Sequence, residues 1–196
     1  MKNLFLVLAF ITMSSTVFSQ VVIRPGVRGG VNFANLTNSN FDDKVDFYIG
    51  GFAAIKLANF YTLQPEINYS RQGGKAKFSG FESLEIQYVG MAITNKFAPF
   101  KDMGLNFIIG PAINIKVGDN LNSFNDDLED FDFLFFGGLG YEFPFGLGIE
   151  ARYTIGIVDV FGRNVNTDDY DDTNIDNLVL NKVVQIGATY KFDFSK

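Results

Sequence analysis

Two carboxylates, Glu66 and Glu150, and two guanidinium groups, Arg28 and Arg152, stand inside three segments where apolar and polar residues alternate. A pair of carboxylates is the equipment of a glycosidase, where one protonates the leaving group and the other serves as base or nucleophile. The same four charges can instead neutralise one another as an ion network, as charges turned away from bulk water ordinarily do. The composition favours the network. The chain has no His and no Cys, which removes His-assisted Ser or Asp hydrolysis, thiol nucleophiles and zinc-ligand spacing. It also lacks a Gly-rich phosphate loop. No catalytic residue, cofactor or metal ion is therefore assigned. The segment NTDDYDDTNIDN at 166–177 offers oxygen ligands in Asp168, Asp169, Asp171, Asp172 and Asp176. It lacks the Gly and terminal Glu of an EF-hand loop and reads as a hydrated acidic loop. Divalent ions bridging such loops to lipopolysaccharide phosphates are a reading between the two.

The segments that carry these charges follow an export signal. Residues 1–19 are expected to be a secretory signal peptide, with one Lys, an apolar run from Leu4 to Ile11, and Val17 and Ser19 before a cut ahead of Gln20. Leu4 to Ile11 is far shorter than the ~20 apolar residues of a spanning helix. The remainder, 20–196, is expected to be a single domain. With no Cys after the leader, a lipid-anchored lipoprotein and a disulfide framework are both excluded. The net charge of −6 and the absence of a basic stripe argue against nucleic acid as a partner. An exported chain with 23 Phe and no further helix-length apolar run must be a soluble periplasmic protein or a barrel.

Residues with a period of two mark the strands. The clearest is YTLQPEINYSRQ at 61–72, with Tyr61, Leu63, Pro65, Ile67 and Tyr69 on one face and Thr62, Gln64, Glu66, Asn68, Ser70 and Gln72 on the other. Comparable alternation runs over 24–36, 45–57, 105–117, 131–143, 147–157 and 178–194. The segment 84–97 begins with Leu84, Ile86 and Tyr88 against Glu85 and Gln87. It then places Val89, Met91 and Ile93 on the polar phase, so a bulge near Gly90 is expected to slip the register. Pro65 and Pro111 fall in mid-strand, where a closed barrel has no edge to hide a missing N–H, and each must take a bulge or an unpaired position, with the bulge expected.

These segments make eight strands. Short connections at 58–60, 98–103 and 144–146 alternate with long ones near 37–44, 73–83, 118–130 and 160–177. The pattern predicts an all-β fold, an eight-stranded antiparallel up-and-down transmembrane β-barrel with short turns on one side and polar loops on the other. A soluble lipocalin-like barrel has the same strand count but turns its apolar phase inward. Arg28, Glu66, Glu85, Lys116, Glu142, Glu150, Arg152 and Lys191 share the polar phase in mid-strand. The opposite phase holds too many Phe, Tyr and Ile for a narrow interior. The polar phase is therefore expected to face the lumen, where these eight residues form a structural ion network. Aromatics bunch at the short-turn ends as a membrane-interface girdle would.

The segments GVRGGVNFANL at 26–36, LQPEINYSRQG at 63–73, GLGIEARYTIGIVDV at 146–160 and NKVVQIGATYKF at 181–192 resemble the PorT-like outer-membrane β-barrel domain family of Bacteroidota. LEIQYVGMAITNKF at 84–97 is similar to the family's LEIP-type strand, with Gln87 where Pro is common. The founding member is tied to secretion and gliding machinery, and most relatives have no assigned role, so the resemblance implies the barrel rather than an activity. The expected function is that of a small, monomeric, integral outer-membrane protein with a filled lumen. Its expected partners are outer-membrane lipid, lipopolysaccharide and an unidentified protein at the extracellular loops. A narrow channel or small-solute transporter, or an accessory subunit of a secretion complex, are the alternatives.

Overall fold

The computed structural model describes residues 22–37, 41–76, 83–100, 103–120, 130–157 and 180–194. The expected signal peptide and most of the four long loops, including 166–177, lie outside the described residues. The strands are β1 (Val22–Leu36), β2 (Phe41–Asp42), β3 (Lys44–Ala58), β4 (Tyr61–Ala76), β5 (Leu84–Phe97), β6 (Leu105–Asp119), β7 (Phe131–Glu142), β8 (Leu147–Gly156) and β9 (Asn181–Lys191). Apart from the two-residue β2, which pairs with the end of β4, each strand is antiparallel to its chain neighbour. β9 also pairs with β1, from Gly26↔Lys191 to Leu36↔Asn181, and this closes an eight-stranded barrel with no free edge.

The pleat sends alternate side chains in and out, and here the usual distribution is inverted. Arg28, Glu66, Glu150 and Arg152 are 3–5 % exposed, whereas Ile49, Ile67, Phe135 and Ile149 are 53–59 % exposed. Burying the polar phase and exposing the apolar one is stable only where the surround is itself apolar. The wall therefore faces lipid, and the lipocalin-like alternative is excluded. Rings gather at the short-turn end, with Tyr61 stacked on Phe97 at 5.1 Å and Tyr141 edge-on to Phe143 at 4.9 Å between centroids. Tyr190 and Phe192 add a further pair at 5.3 Å.

The structure corrects the expected slip in β5. Its pairing with β4 is unbroken from Tyr61↔Phe97 to Gly74↔Leu84, and burial alternates without interruption. Leu84, Ile86 and Tyr88 therefore face inward, and Glu85 and Gln87 face outward beside Val89, Met91 and Ile93. At the long-loop end β5 turns Leu84, Ile86 and Tyr88 into an interior that also buries Gln72, Asp132 and Asn181, and its outward phase has run past the greasy band. The register shift lies on the neighbouring strand instead, where β6 carries one extra residue, Val117, opposite Gln87 and Tyr88.

The two prolines are also not at bulges. The β3–β4 ladder stops at Phe52↔Glu66 and resumes at Ile55↔Leu63 in the same register. The β5–β6 ladder stops at Ala92↔Ala112 and resumes at Asn95↔Ile109, again unshifted. Each proline takes an unpaired position. A proline omits one rung because it has no N–H, and in a closed barrel the rungs on either side hold the strands in line.

Large lumen side chains fit because glycine faces them. A Cβ on Gly187 would lie 2.2 Å from the hydroxyl of Tyr48, which is buried to 2 % exposure. The lipid-facing wall generates a test. Phe135→Arg places a charge near the middle of the apolar band and is expected to lower unfolding free energy in lipid vesicles by about 2–4 kcal/mol. A loss below about 0.5 kcal/mol, the ordinary size of a surface change, would show that Phe135 does not face hydrocarbon.

Candidate functional site

Four strands supply the charged centre. β1 contributes Arg28, β4 Glu66, β5 Lys96 and β8 both Glu150 and Arg152, each on the inward phase of its strand. Arg28 Nη1 lies 2.5 Å from Glu66 Oε2, and its Nη2 lies 2.7 Å from Glu150 Oε1, an ion pair without hydrogen-bond alignment. Arg152 grips Glu66 with both amino groups, Nη2 to Oε1 at 2.8 Å and Nη1 to Oε2 at 3.0 Å, and reaches Glu150 Oε2 at 3.2 Å. The Thr94 hydroxyl and the Gln64 amide donate to Glu66 Oε1 at 2.6 and 2.8 Å. The cations are backed by rings, Arg28 over Tyr48 at 4.7 Å and Arg152 over Phe136 at 5.0 Å.

This geometry speaks against carboxylate catalysis. Both oxygens of Glu66 are already engaged, by two arginines, a hydroxyl and an amide, and Glu150 is held between the same two arginines. Removing such charges from water costs several kcal/mol per ion, and only complete pairing and hydrogen bonding offset it. Arg28, Glu66, Glu150 and Arg152 neutralise one another, and all four carboxylate oxygens face guanidinium groups rather than a substrate path.

Of the eight residues expected in one network, the structure brings Arg28, Glu66, Glu150 and Arg152 together and separates the other four. Glu85 is outward at the long-loop end, bound to Arg71, with Lys44 at 3.5 Å. This corrects its placement in the lumen and follows from the unbroken β5 register. Lys116 is at the same end, 3.6 Å from Asp119 and 3.4 Å from Asp130. Glu142 pairs with Lys191 at the short-turn end. The residue that sequence reasoning missed is Lys96, 3.6 Å from Glu150 Oε2 and 5.8 Å from the Phe52 ring. With Met91, Ile93 and Phe97 on the lipid face, Lys96 falls inward with or without a slip near Gly90. Strict alternation from Leu84 places it inward.

Two spaces flank the centre. On the long-loop side a cavity of only about 50 Å³ lies among Arg28, Ser70, Asn114 and Arg152, room for a few water molecules. Around it Asn32 donates to Ser70 at 2.8 Å and accepts from Gln185 at 2.9 Å. On the short-turn side a cavity of about 550 Å³ opens outward.

Residues 18–162 match the family described as outer membrane protein beta-barrel domain. The chain belongs to this family, and its place is the bacterial outer membrane. The closing strand β9 lies beyond the matched residues. Among solved structures, the crystal structure of Neisserial surface protein A is similar at 13 % identity with a TM-score of 0.54, covering 87 % of this chain and 97 % of that one. Ail, the attachment invasion locus protein of Yersinia pestis, solved with the heparin analogue sucrose octasulfate, is similar at 12 % identity with a TM-score of 0.51, over 87 % and 97 % of the two chains. At these identities the likeness is one of fold. No curated protein matches the sequence.

The network predicts a sharp contrast between its hub and the rim. Glu66→Gln leaves Arg28 and Arg152 short of a counter-charge and is expected to cost about 3–5 kcal/mol in urea unfolding in lipid vesicles. Glu85→Gln, at a half-exposed rim pair, is expected to cost no more than about 1 kcal/mol. Equal losses at the two positions would contradict a buried hub at Glu66.

Proposed function

We propose that this member of the outer-membrane barrel family works through its long-loop end, with the lumen serving as a structural plug. The observation that carries this reading is the filled centre. Arg28, Glu66, Glu150 and Arg152 meet across the barrel, and the space beyond them is about 50 Å³. A solute path is blocked there, which leaves the loops as the part free to recognise something. Residues 1–19 are read as the signal that exports the chain, and the mature protein as a monomer whose apolar wall is covered by lipid.

The orientation follows the general rule for such barrels, with short turns in the periplasm and long loops outside. β1 begins and β9 ends at the short-turn end, so both termini of the barrel lie in the periplasm. The two longest exterior loops are acidic. Residues 118–130 hold five acids and no base, and 160–177 hold five Asp and one Arg. Such loops suit a cationic partner protein, or lipopolysaccharide phosphates bridged through divalent cations. No enzymatic role is assigned, because the carboxylates Glu66 and Glu150 are consumed by the plug. The PorT-like resemblance supports a second assignment for the same loops, as an accessory contact of a secretion complex.

Two measurements check the reading together. Purified protein in planar lipid bilayers is expected to show no steady open conductance, and porin-like steps would favour a channel. Photo-crosslinkers placed in 118–130 and 160–177 of the protein in native outer membranes are expected to capture a discrete partner or lipopolysaccharide. That capture is expected to disappear when the loop aspartates are changed to asparagine, and persistence of the same products would sink the acidic-loop assignment.

A further inference from the structure

The cavity at the short-turn end belongs neither to the plug nor to the loops. Its volume of about 550 Å³ falls within the range of small-ligand sites, ~300–1,000 Å³. Among the described residues four cations line it, Arg24, Lys56, Lys96 and Lys191, against one carboxylate, Glu142. Glu142 is taken by Lys191, and Arg24 lies 3.4 Å from Asp193 in an exposed pair. Lys56 is exposed and makes no ion pair among the described residues.

Lys96 at the inner end is the telling residue. It is 7 % exposed, and its nearest carboxylate oxygen, Glu150 Oε2, is 3.6 Å away, too far for a hydrogen bond. Glu150 meanwhile pairs with Arg28 at 2.7 Å and Arg152 at 3.2 Å. The centre therefore buries three cations, Arg28, Lys96 and Arg152, with two carboxylates, Glu66 and Glu150. An ammonium this buried, beyond hydrogen-bond reach of its nearest carboxylate, is costly, and an anion entering from the cavity would supply both an acceptor and the missing charge.

We propose that this vestibule binds one anionic group, a carboxylate or a phosphate, with Lys96 as its buried contact and Lys56 as the rim charge that draws it in. A lysine ammonium is suited to this as a compact point charge with three donors. The bound anion brings the centre to three cations and three anions. The Glu66 layer closes the inner end, so the anion is held rather than passed through. Only the source of the ligand rests on the orientation proposed above. With the short turns in the periplasm, the anion comes either from a soluble periplasmic solute or from the C-terminal carboxylate of a periplasmic polypeptide.

The test uses the full mature protein in nanodiscs of zwitterionic lipid. Thermal unfolding is followed against sodium phosphate, sodium succinate, and a peptide with a free or an amidated C-terminus, all at ionic strength matched with sodium chloride. Phosphate or succinate is expected to raise the unfolding temperature above the chloride control, and a difference between the two peptides would identify a chain terminus as a ligand. Lys96→Met removes the uncompensated cation. It is expected to leave unliganded stability unchanged or raised while weakening apparent anion affinity about tenfold, as loss of a charge-assisted contact implies. Lys56→Gln, on the exposed rim, is expected to fold normally and weaken affinity less. Responses equal to chloride, or undiminished in both variants, would overturn the site. The orientation is read separately. A Lys56→Cys variant labelled in intact cells by a large impermeant maleimide would refute a periplasmic vestibule without touching anion binding itself.

Discussion

Everything inside this barrel depends on one constraint: eight strands enclose a space too narrow for bulk water, yet the inward phase carries charges. Those charges can persist only if they cancel within the wall that holds them. Glu66 is the point of cancellation, reached by Arg28 from β1 and by both amino groups of Arg152 from β8. Because its partners come from distant strands, the contact exists only when the barrel has closed through β1 and β9. The network is thus a consequence of closure and also a reason for it. A sheet opened between β1 and β9 would take Arg152 on β8 away from Glu66 on β4.

The wall obeys a different rule. Hydrocarbon offers no hydrogen bonds, so the backbone must satisfy itself, and closure achieves this. Pro65 and Pro111 are local exceptions, and they sit on the two flanks of the same hairpin, β4–β5. The hairpin's own ladder continues through Pro65↔Ile93. Each flank drops a short stretch of rungs and recovers its register, which is tolerable because the strands cannot slide in a closed cylinder. Glycines such as Gly187 do the complementary work inside, giving Tyr48 the room that any other residue would take.

The two ends are chemically unlike. The two longest loop segments, 118–130 and 160–177, are acidic, while the described lining of the cavity at the other end includes four cations and one carboxylate. The plug separates them, so the ends act as independent surfaces rather than as two mouths of one path. The surplus cation at Lys96 belongs to the plug by burial and to the basic cavity by exposure of its ammonium. It is where the structural and the binding character of the lumen meet.

The strand number, the long–short alternation of connections and the direction of the faces were all legible in the sequence. A period of two is imposed by the pleat residue by residue, and YTLQPEINYSRQ states it without tertiary help. Arg28, Glu66, Glu150 and Arg152 were legible as inward charges for the same reason. Periodicity cannot say which inward residues meet, because strand tilt and stagger set their relative heights, so Lys116, Glu142 and Lys191 were grouped with a centre they do not reach. Nor can it reveal where the surround changes. The sequence of β5 looks slipped because its outer end passes from lipid to polar surroundings, and the apparent slip moves Glu85 inward. The sequence leaves a bulge and an unpaired position both open at Pro65 and Pro111, because a lone strand does not show whether its neighbours hold the register. Only the closed barrel, holding both neighbours in register, could let the missing N–H pass as a skipped rung.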